Sequence, residues 1–224
     1  MAAEIILETK GLTKEFKGFV AVNSVDLQVR RGDIHALIGP NGAGKTTFFN
    51  LLTKFLPPTR GTITYLGHDI THERPAQTAR RGIVRSFQIS AVFPHMTVLE
   101  NVRAALQRNL GTSFHFWKPG RKRALELATT MALEPDLMLL DEPTQGMGHE
   151  DVDRVTQLIK QVSTGRTILM VEHNMNVVSS IADRITVLQR GAVIADGPYA
   201  EVSRNPQVIE AYMGAADVEL QGAH

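Results

Sequence analysis

Apolar positions fall into two spacings along the chain. Val25-Asp26-Leu27-Gln28-Val29 and Thr62-Ile63-Thr64-Tyr65-Leu66 alternate apolar with polar residues, the period of a strand with one face on a core and one in water. Ile34-His35-Ala36-Leu37-Ile38, Leu137-Met138-Leu139-Leu140 and Thr167-Ile168-Leu169-Met170-Val171 are nearly unbroken apolar runs, as expected of parallel strands covered on both faces. Ile5 to Lys10 reads as a further strand, with Gly11 to Gly18 as a turn region after it, and Ile83 to Gln88 as another strand. Helical spacing marks Thr46 to Lys54, with Phe48, Phe49, Leu51 and Leu52 on its apolar face, and the stretch carrying Val152, Val155, Leu158, Ile159 and Val162. Pro75 to Arg81 predicts a short helix stopped at Gly82. Thr97 and Glu100 have capping-box spacing and open a helix to about Arg108. Arg121 to Met131 and Gln207 to Tyr212 are expected to be helical, and Ile185–Leu188 with Ala192–Ala195 to form a hairpin about Arg190-Gly191.

Strands alternating with helices predict an α/β fold with a mostly parallel sheet. The early alternating strands predict an antiparallel β layer beside it. Neither repeats nor a linker divide residues 1–224, so one domain is expected.

Ligands gather at the carboxyl ends of the strands in such sheets, and four strand ends here carry polar residues. The first is Gly39-Pro40-Asn41-Gly42-Ala43-Gly44-Lys45-Thr46-Thr47, a G-x-x-x-x-G-K-[ST] phosphate loop between a strand and a helix. Its glycines let successive N–H groups turn inward toward one anion. The helix N-terminus adds partial positive charge, Lys45 a full one, and the Thr46 hydroxyl a ligand for Mg²⁺. The second is Asp141-Glu142 after an apolar run, the Walker B pattern: a carboxylate that orders Mg²⁺ or its water, then one placed to polarise an attacking water. His173 ends a third strand and is read as a γ-phosphate sensor; Gln88 ends the fourth. His149-Glu150 begins like a zinc motif, but position 153 is Asp153, so no zinc site is expected.

Composition narrows the classes. With 43% hydrophobic and 21% charged residues the chain reads as an ordinary globular protein, and a net charge of +1 supplies no basic field for nucleic acid. Absence of cysteine excludes disulfides and thiolate metal sites. No apolar run is long enough to span a bilayer and no signal peptide opens the chain, so a cytoplasmic location is expected.

Phe16, the loop Gly39–Thr47, Gln88, Asp141-Glu142 and His173 stand in the order and rough spacing of an ABC transporter ATP-binding subunit. The resemblance spans nearly the whole chain and implies a P-loop NTPase core that binds and hydrolyses ATP with Mg²⁺. It implies that Phe16 stacks on adenine, that Gln88 touches Mg²⁺ and relays to the membrane domain, that Asp141 orders the metal, that Glu142 is the catalytic base and that His173 is the switch histidine. Gly146-Met147-Gly148 falls where that family has its D-loop. Arg85-Ser86-Phe87-Gln88, Phe93 to Val102, and Asn205-Pro206 through Ala211-Tyr212-Met213-Gly214 are similar to branched-chain amino-acid importer ATPases. Expected partners are then a second ATP-binding subunit, transmembrane permease subunits and, through them, a substrate-binding protein, with the chain peripheral on the inner face of the membrane. Alternatives are a urea or amide importer, a soluble non-transport ABC ATPase, and a module that holds ATP without hydrolysing it. Soluble members usually carry two cassettes or long coiled coils, and this chain has neither.

One departure from that pattern is large. The family signature Leu-Ser-x-Gly is represented only by Pro119-Gly120-Arg121-Lys122-Arg123, without its Leu and Ser. Phe114, Phe116 and Trp117 crowd the segment before it. A helical subdomain over approximately 89–133 is therefore expected to be shortened, with residues missing near Lys118–Pro119.

Overall fold

The structure is a computed structural model, and it describes residues 4–86 and 135–212. Its strands form two sheets. The smaller is antiparallel and contains β1 (Ile5–Phe16), β2 (Phe19–Arg30), β4 (Arg60–Tyr65) and β5 (His68–Asp69), in the order β2-β1-β4-β5. The larger contains β3 (Ile34–Ile38), β6 (Ile83–Ser86), β7 (Leu137–Asp141), β8 (Thr167–Val171), β9 (Arg184–Gln189) and β10 (Ala192–Gly197), in the order β10-β9-β3-β8-β7-β6. All its pairings are parallel except the β9–β10 hairpin.

The unbroken apolar runs are explained by burial on both faces. Leu37, Leu139, Leu169 and Val171 point into one core, shared with β1, β2, β4 and helix α1 (Lys45–Leu52). Their neighbours Ala36, Ile38, Met138, Leu140, Ile168 and Met170 point into a second. There they meet Ile159 and Val162 of α3 (His149–Val162) and Val177, Val178 and Ile181 of α4 (Met175–Ile181). Each residue step along a strand reverses the side chain, so both sets must be apolar. In the first core Phe48 and Phe49 of α1 are fully buried; truncating either to alanine is expected to cost about 3–5 kcal/mol.

Two expectations change. Residues 11–16 belong to β1, not to a turn. Register shifts between Thr9 and Leu12, and Gly11 takes φ 56, which together make a bulge that the strand survives. The reversal falls instead at Lys17-Gly18, with φ 46 and 91. Both residues are left-handed, the requirement of a two-residue hairpin turn that follows strand twist. Phe16 and Phe19 face each other across it. The helix α4 was also not anticipated; Asn174 caps it by accepting from the N–H groups of Asn176 and Val177 at 3.1 and 3.4 Å. The remaining short helices are α2 (Pro75–Arg80) and α5 (Tyr199–Val202), and residues 206–212 are helical. Gln88, the signature remnant, the predicted helices near 97–108 and 121–131 and the subdomain over 89–133 lie outside the described residues.

Position of the site follows from two features. β3 lies between β8 and β9, both far later in the chain. Behind the loop that follows β3, three backbone segments meet. Asn23 N–H donates to the Gly191 carbonyl at 2.8 Å, and Gly191 N–H donates to the Ala43 carbonyl at 2.9 Å. A Cβ on Gly44 would stand 2.3 Å from the Ala21 carbonyl oxygen, so only glycine permits this approach.

Candidate functional site

The ends of β3, β7 and β8 place three polar segments side by side. From β3 the chain enters the phosphate loop at Gly39, whose φ of 151 and missing Cβ let it pass the Leu188 carbonyl; an added Cβ would lie 2.1 Å from that oxygen. Helix α1 begins at Lys45, so the N–H groups of its first turn open on the loop. The Lys45 ammonium donates to the carbonyls of Gly39 at 2.6 Å and Pro40 at 3.1 Å. Burial lowers its pKa below the usual lysine value, against the opposing pull of Glu142 and Asp141.

A cleft of about 310 Å³ lies over the loop, lined by Phe19, Ala21, residues 41–47, Glu142 and His173. A second, of about 520 Å³, shares Asn41, Glu142 and His173 and continues past Thr144 and Met147. Between them, His173 Nε2 and Glu142 Oε1 are 2.5 Å apart. His173 is 40% exposed in its side chain, so the pair is accessible. Glu142 has φ 48, a left-handed conformation that costs a non-glycine residue about 1–3 kcal/mol. It directs the carboxylate away from the run of β7 and toward the loop.

Asp141 ends β7 buried, and its Oδ2 accepts from Arg85 Nη2 at 2.5 Å. Arg85, on β6, also donates from Nη1 to Asn50 Oδ1 at 2.6 Å and lies 5.6 Å from the centre of the Phe49 ring. One guanidinium thus fixes the Walker B carboxylate to the helix that carries Lys45. Sequence reasoning gave Arg85 no role of its own. The signal was a lone arginine in an apolar strand, three residues before a polar strand end.

The structure therefore brings Asn41 to Thr47, Glu142 and His173 into one cleft, with Gly39, Pro40 and Asp141 immediately behind. Phe16 is not among the cleft-lining residues; Phe19 is. Phe19 is 66% exposed, whereas Phe16 is 41% exposed with the Lys14 ammonium 5.1 Å from its ring centre. Among the described residues no three His, Asp or Glu side chains gather as a metal cluster.

Comparison with known proteins agrees with this arrangement. The family model "ABC transporter" matches residues 22–145, and "Branched-chain amino acid ATP-binding cassette transporter" matches residues 192–218. The chain is 37% identical to the high-affinity branched-chain amino acid transport ATP-binding protein BraF of Pseudomonas aeruginosa, over 94% of this chain and 98% of that one. It is 35% identical to LivG of Escherichia coli, of the same description, over the same shares. Both alignments run over 251 positions, more than the 224 residues of this chain, so each relative carries residues that this chain lacks. Among solved structures, the ADP conformation of MJ1267, an ATP-binding cassette of an ABC transporter, superposes with a TM-score of 0.82 at 28% identity, covering 94% of this chain and 99% of that one. A nucleotide-free cassette from an ABC transporter gives 0.81 at 27% identity, covering 93% and 99%. By family model, sequence identity and fold alike, the chain belongs to the ATP-binding proteins of the ABC transporter family.

Proposed function

We propose that the chain binds Mg-ATP in the cleft over residues 39–47 and hydrolyses it as a subunit of an importer for branched-chain or other hydrophobic amino acids. The observation that carries this is the meeting of the phosphate loop with the Glu142–His173 pair in one cleft. Loop N–H groups and the start of α1 would hold the phosphates. Lys45 would exchange its two carbonyl partners for β- and γ-phosphate oxygens. Oxygen donors only, the Thr46 hydroxyl and the Asp141 carboxylate, suit Mg²⁺ rather than a softer metal. Gln88 is proposed beside them from the family pattern. When bound, the ion neutralises charge on the phosphates. Glu142 would take a proton from the attacking water, and His173 would hold Glu142 and meet the γ-phosphate.

BraF and LivG are named as branched-chain amino acid transport proteins, and this motivates the substrate class. Partners on this reading are a second ATP-binding subunit, permeases and a substrate-binding protein. No helix among the described residues is long and apolar enough to cross a membrane, so permeases would hold the chain on the inner face. The absent Leu and Ser of the signature, with alignments longer than the chain, support a helical subdomain lacking residues near Lys118–Pro119. Turnover by this chain alone is then slow, because signature groups that close a neighbour's site are gone.

The test is calorimetric titration of the chain with Mg-ATP, followed by a steady-state phosphate-release assay. Binding with slow release is the expected result. Absence of Mg-ATP binding overturns the reading; binding with no hydrolysis, even beside a subunit bearing an intact signature, would favour an ATP-holding module.

A further inference from the structure

Glu172 lies between Val171 of β8 and His173, borders the second cleft beside Glu142 and His173, and is 2% exposed. A buried carboxylate requires partners, since leaving one unpaired is costly. Here all four are neutral donors. Glu172 Oε1 accepts from the Thr144 N–H at 3.0 Å and the Thr144 hydroxyl at 2.6 Å. Glu172 Oε2 accepts from the N–H groups of His173 at 2.9 Å and Asn174 at 3.1 Å. Each oxygen thus grips a different segment. Thr144 follows Glu142 by two residues, in the segment leaving β7; His173 and Asn174 form the segment leaving β8.

We infer that Glu172 is the positioning residue of the Glu142–His173 pair: one carboxylate that sets the spacing between the two segments carrying the pair. The inference rests on the function proposed for that pair, but its geometry stands without nucleotide. Hydrogen bonds between the β7 and β8 backbones end at Glu142 N–H, which donates to the Val171 carbonyl at 2.9 Å. Beyond that point the two segments have left the ladder, and the carboxylate bridges them where the sheet no longer does. A glutamate suits this and a glutamine does not. The amide has one acceptor oxygen and one donor nitrogen. Turned one way it strands the Thr144 N–H; turned the other it strands the N–H groups of His173 and Asn174. Either orientation releases one of the two segments.

The test is nitrogen NMR of the full chain, uniformly labelled, read at the His173 ring. Contact with Glu142 gives Nε2 a shift distinct from that of a free imidazole, and Glu142→Ala, which leaves no group to bond the ring, supplies the uncoupled reference. In Glu172→Gln the Nε2 shift is expected to move most of the way to that reference, with amide exchange at Thr144 or at His173 faster by roughly tenfold. Thr144→Val, which removes only the hydroxyl, is expected to give a smaller move in the same direction, and Thr144→Ser none. A merely structural role would lower the melting temperature of Glu172→Gln and leave the ring shift of the folded protein in place; that result overturns the inference. Should Glu172→Gln not fold, the Thr144 pair decides: equal ring shifts in Thr144→Val and Thr144→Ser overturn it. Mg-ATP titration of the same parent sample tests the proposed function separately, so failure of one is distinguishable from failure of the other.

Discussion

Lys45 rests on two carbonyls of its own loop, so the charge needed for phosphate is already aimed into the cleft. Lys45→Ala is expected to lower Mg-ATP affinity by at least about a hundredfold, the loss of charge-assisted hydrogen bonds of about 1.5–3 kcal/mol each, with an unchanged circular dichroism spectrum. Titration calorimetry checks it, and equal affinity in mutant and parent contradicts it. Phe19 gives a second outcome. Its ring lines the cleft and is two-thirds exposed, so Phe19→Ala is expected to weaken ATP by about 1–3 kcal/mol if it stacks on the base. Phe16→Ala then weakens ATP less, and neither changes affinity for tripolyphosphate, which has no base. The reverse order would support the role that the family pattern implies for Phe16. Lys54 concerns stability alone. Its φ of 64 suits glycine, and its ammonium is buried with no hydrogen-bond partner among the described residues. Burial pushes its pKa down to about 8, against Asp69 and Glu73. Lys54→Gly should raise the melting temperature at pH 7. A folded pKa below the usual 10.5 means that the native state resists the proton, so the parent gains on the variant as pH rises from about 8 to 10.5.

At the scale of elements, β3 carries a polar residue where its pattern asks for an apolar one. His35 is fully buried, and its Nε2 lies 2.7 Å from Thr186 Oγ1 of β9. The Thr186 hydroxyl donates to Asp196 Oδ1 of β10 at 2.9 Å, so His35 must be the donor to Thr186 and is neutral with its proton on Nε2. Burial lowers its pKa to about 4; Asp196 opposes this, while Arg184 and Arg30 add to it. The native state thus refuses a proton that the unfolded chain accepts near 6.5, and stability should fall as pH drops from about 6.5 through 4. Urea midpoints of the parent and of His35→Val over that range check this; the variant should fall less steeply. Much of this level was readable in the chain. The limits of β3 and β8 follow from unbroken apolar runs because both faces of those strands meet a core, and the antiparallel layer follows from alternation because only one of its faces does. Gly11 misled, since a bulge glycine and a turn glycine look alike until pairing across to β2 and β4 is known. The roles of Arg85 and Glu172 could not be read for a related reason, although a lone arginine before a strand end marked the first as a candidate. Their partners Asp141, Asn50 and Thr144 are distant in sequence, and no local spacing encodes an ion pair or a four-donor bridge.

For the whole molecule, the motifs gave the cleft because each stands at a strand end and parallel order brings those ends together. Which aromatic covers the cleft could not be read the same way. It depends on how the antiparallel sheet leans over the loop, through contacts of Ala21 with Gly44 and Gly191. The assembled function also sets an expectation on membranes. With net charge +1 and no described helix that could span a bilayer, the purified chain should remain unbound in flotation with anionic vesicles at physiological salt. Tight flotation of the chain alone would mean a lipid anchor and contradict attachment through permeases.

The placing of β3 between β8 and β9 has a consequence for synthesis. The strand that delivers the phosphate loop leaves the ribosome early, but both of its sheet neighbours lie beyond residue 166, and the Gly191 N–H that holds Ala43 comes later still. Until then the nascent chain owns every residue of the loop but, of the frame that shapes it, only the β2 side at Ala21. Domains fold as units during synthesis, and here the unit closes only in its last fifth, so a chain stalled before β8 should retain no ATP on an affinity resin while one released after β10 should.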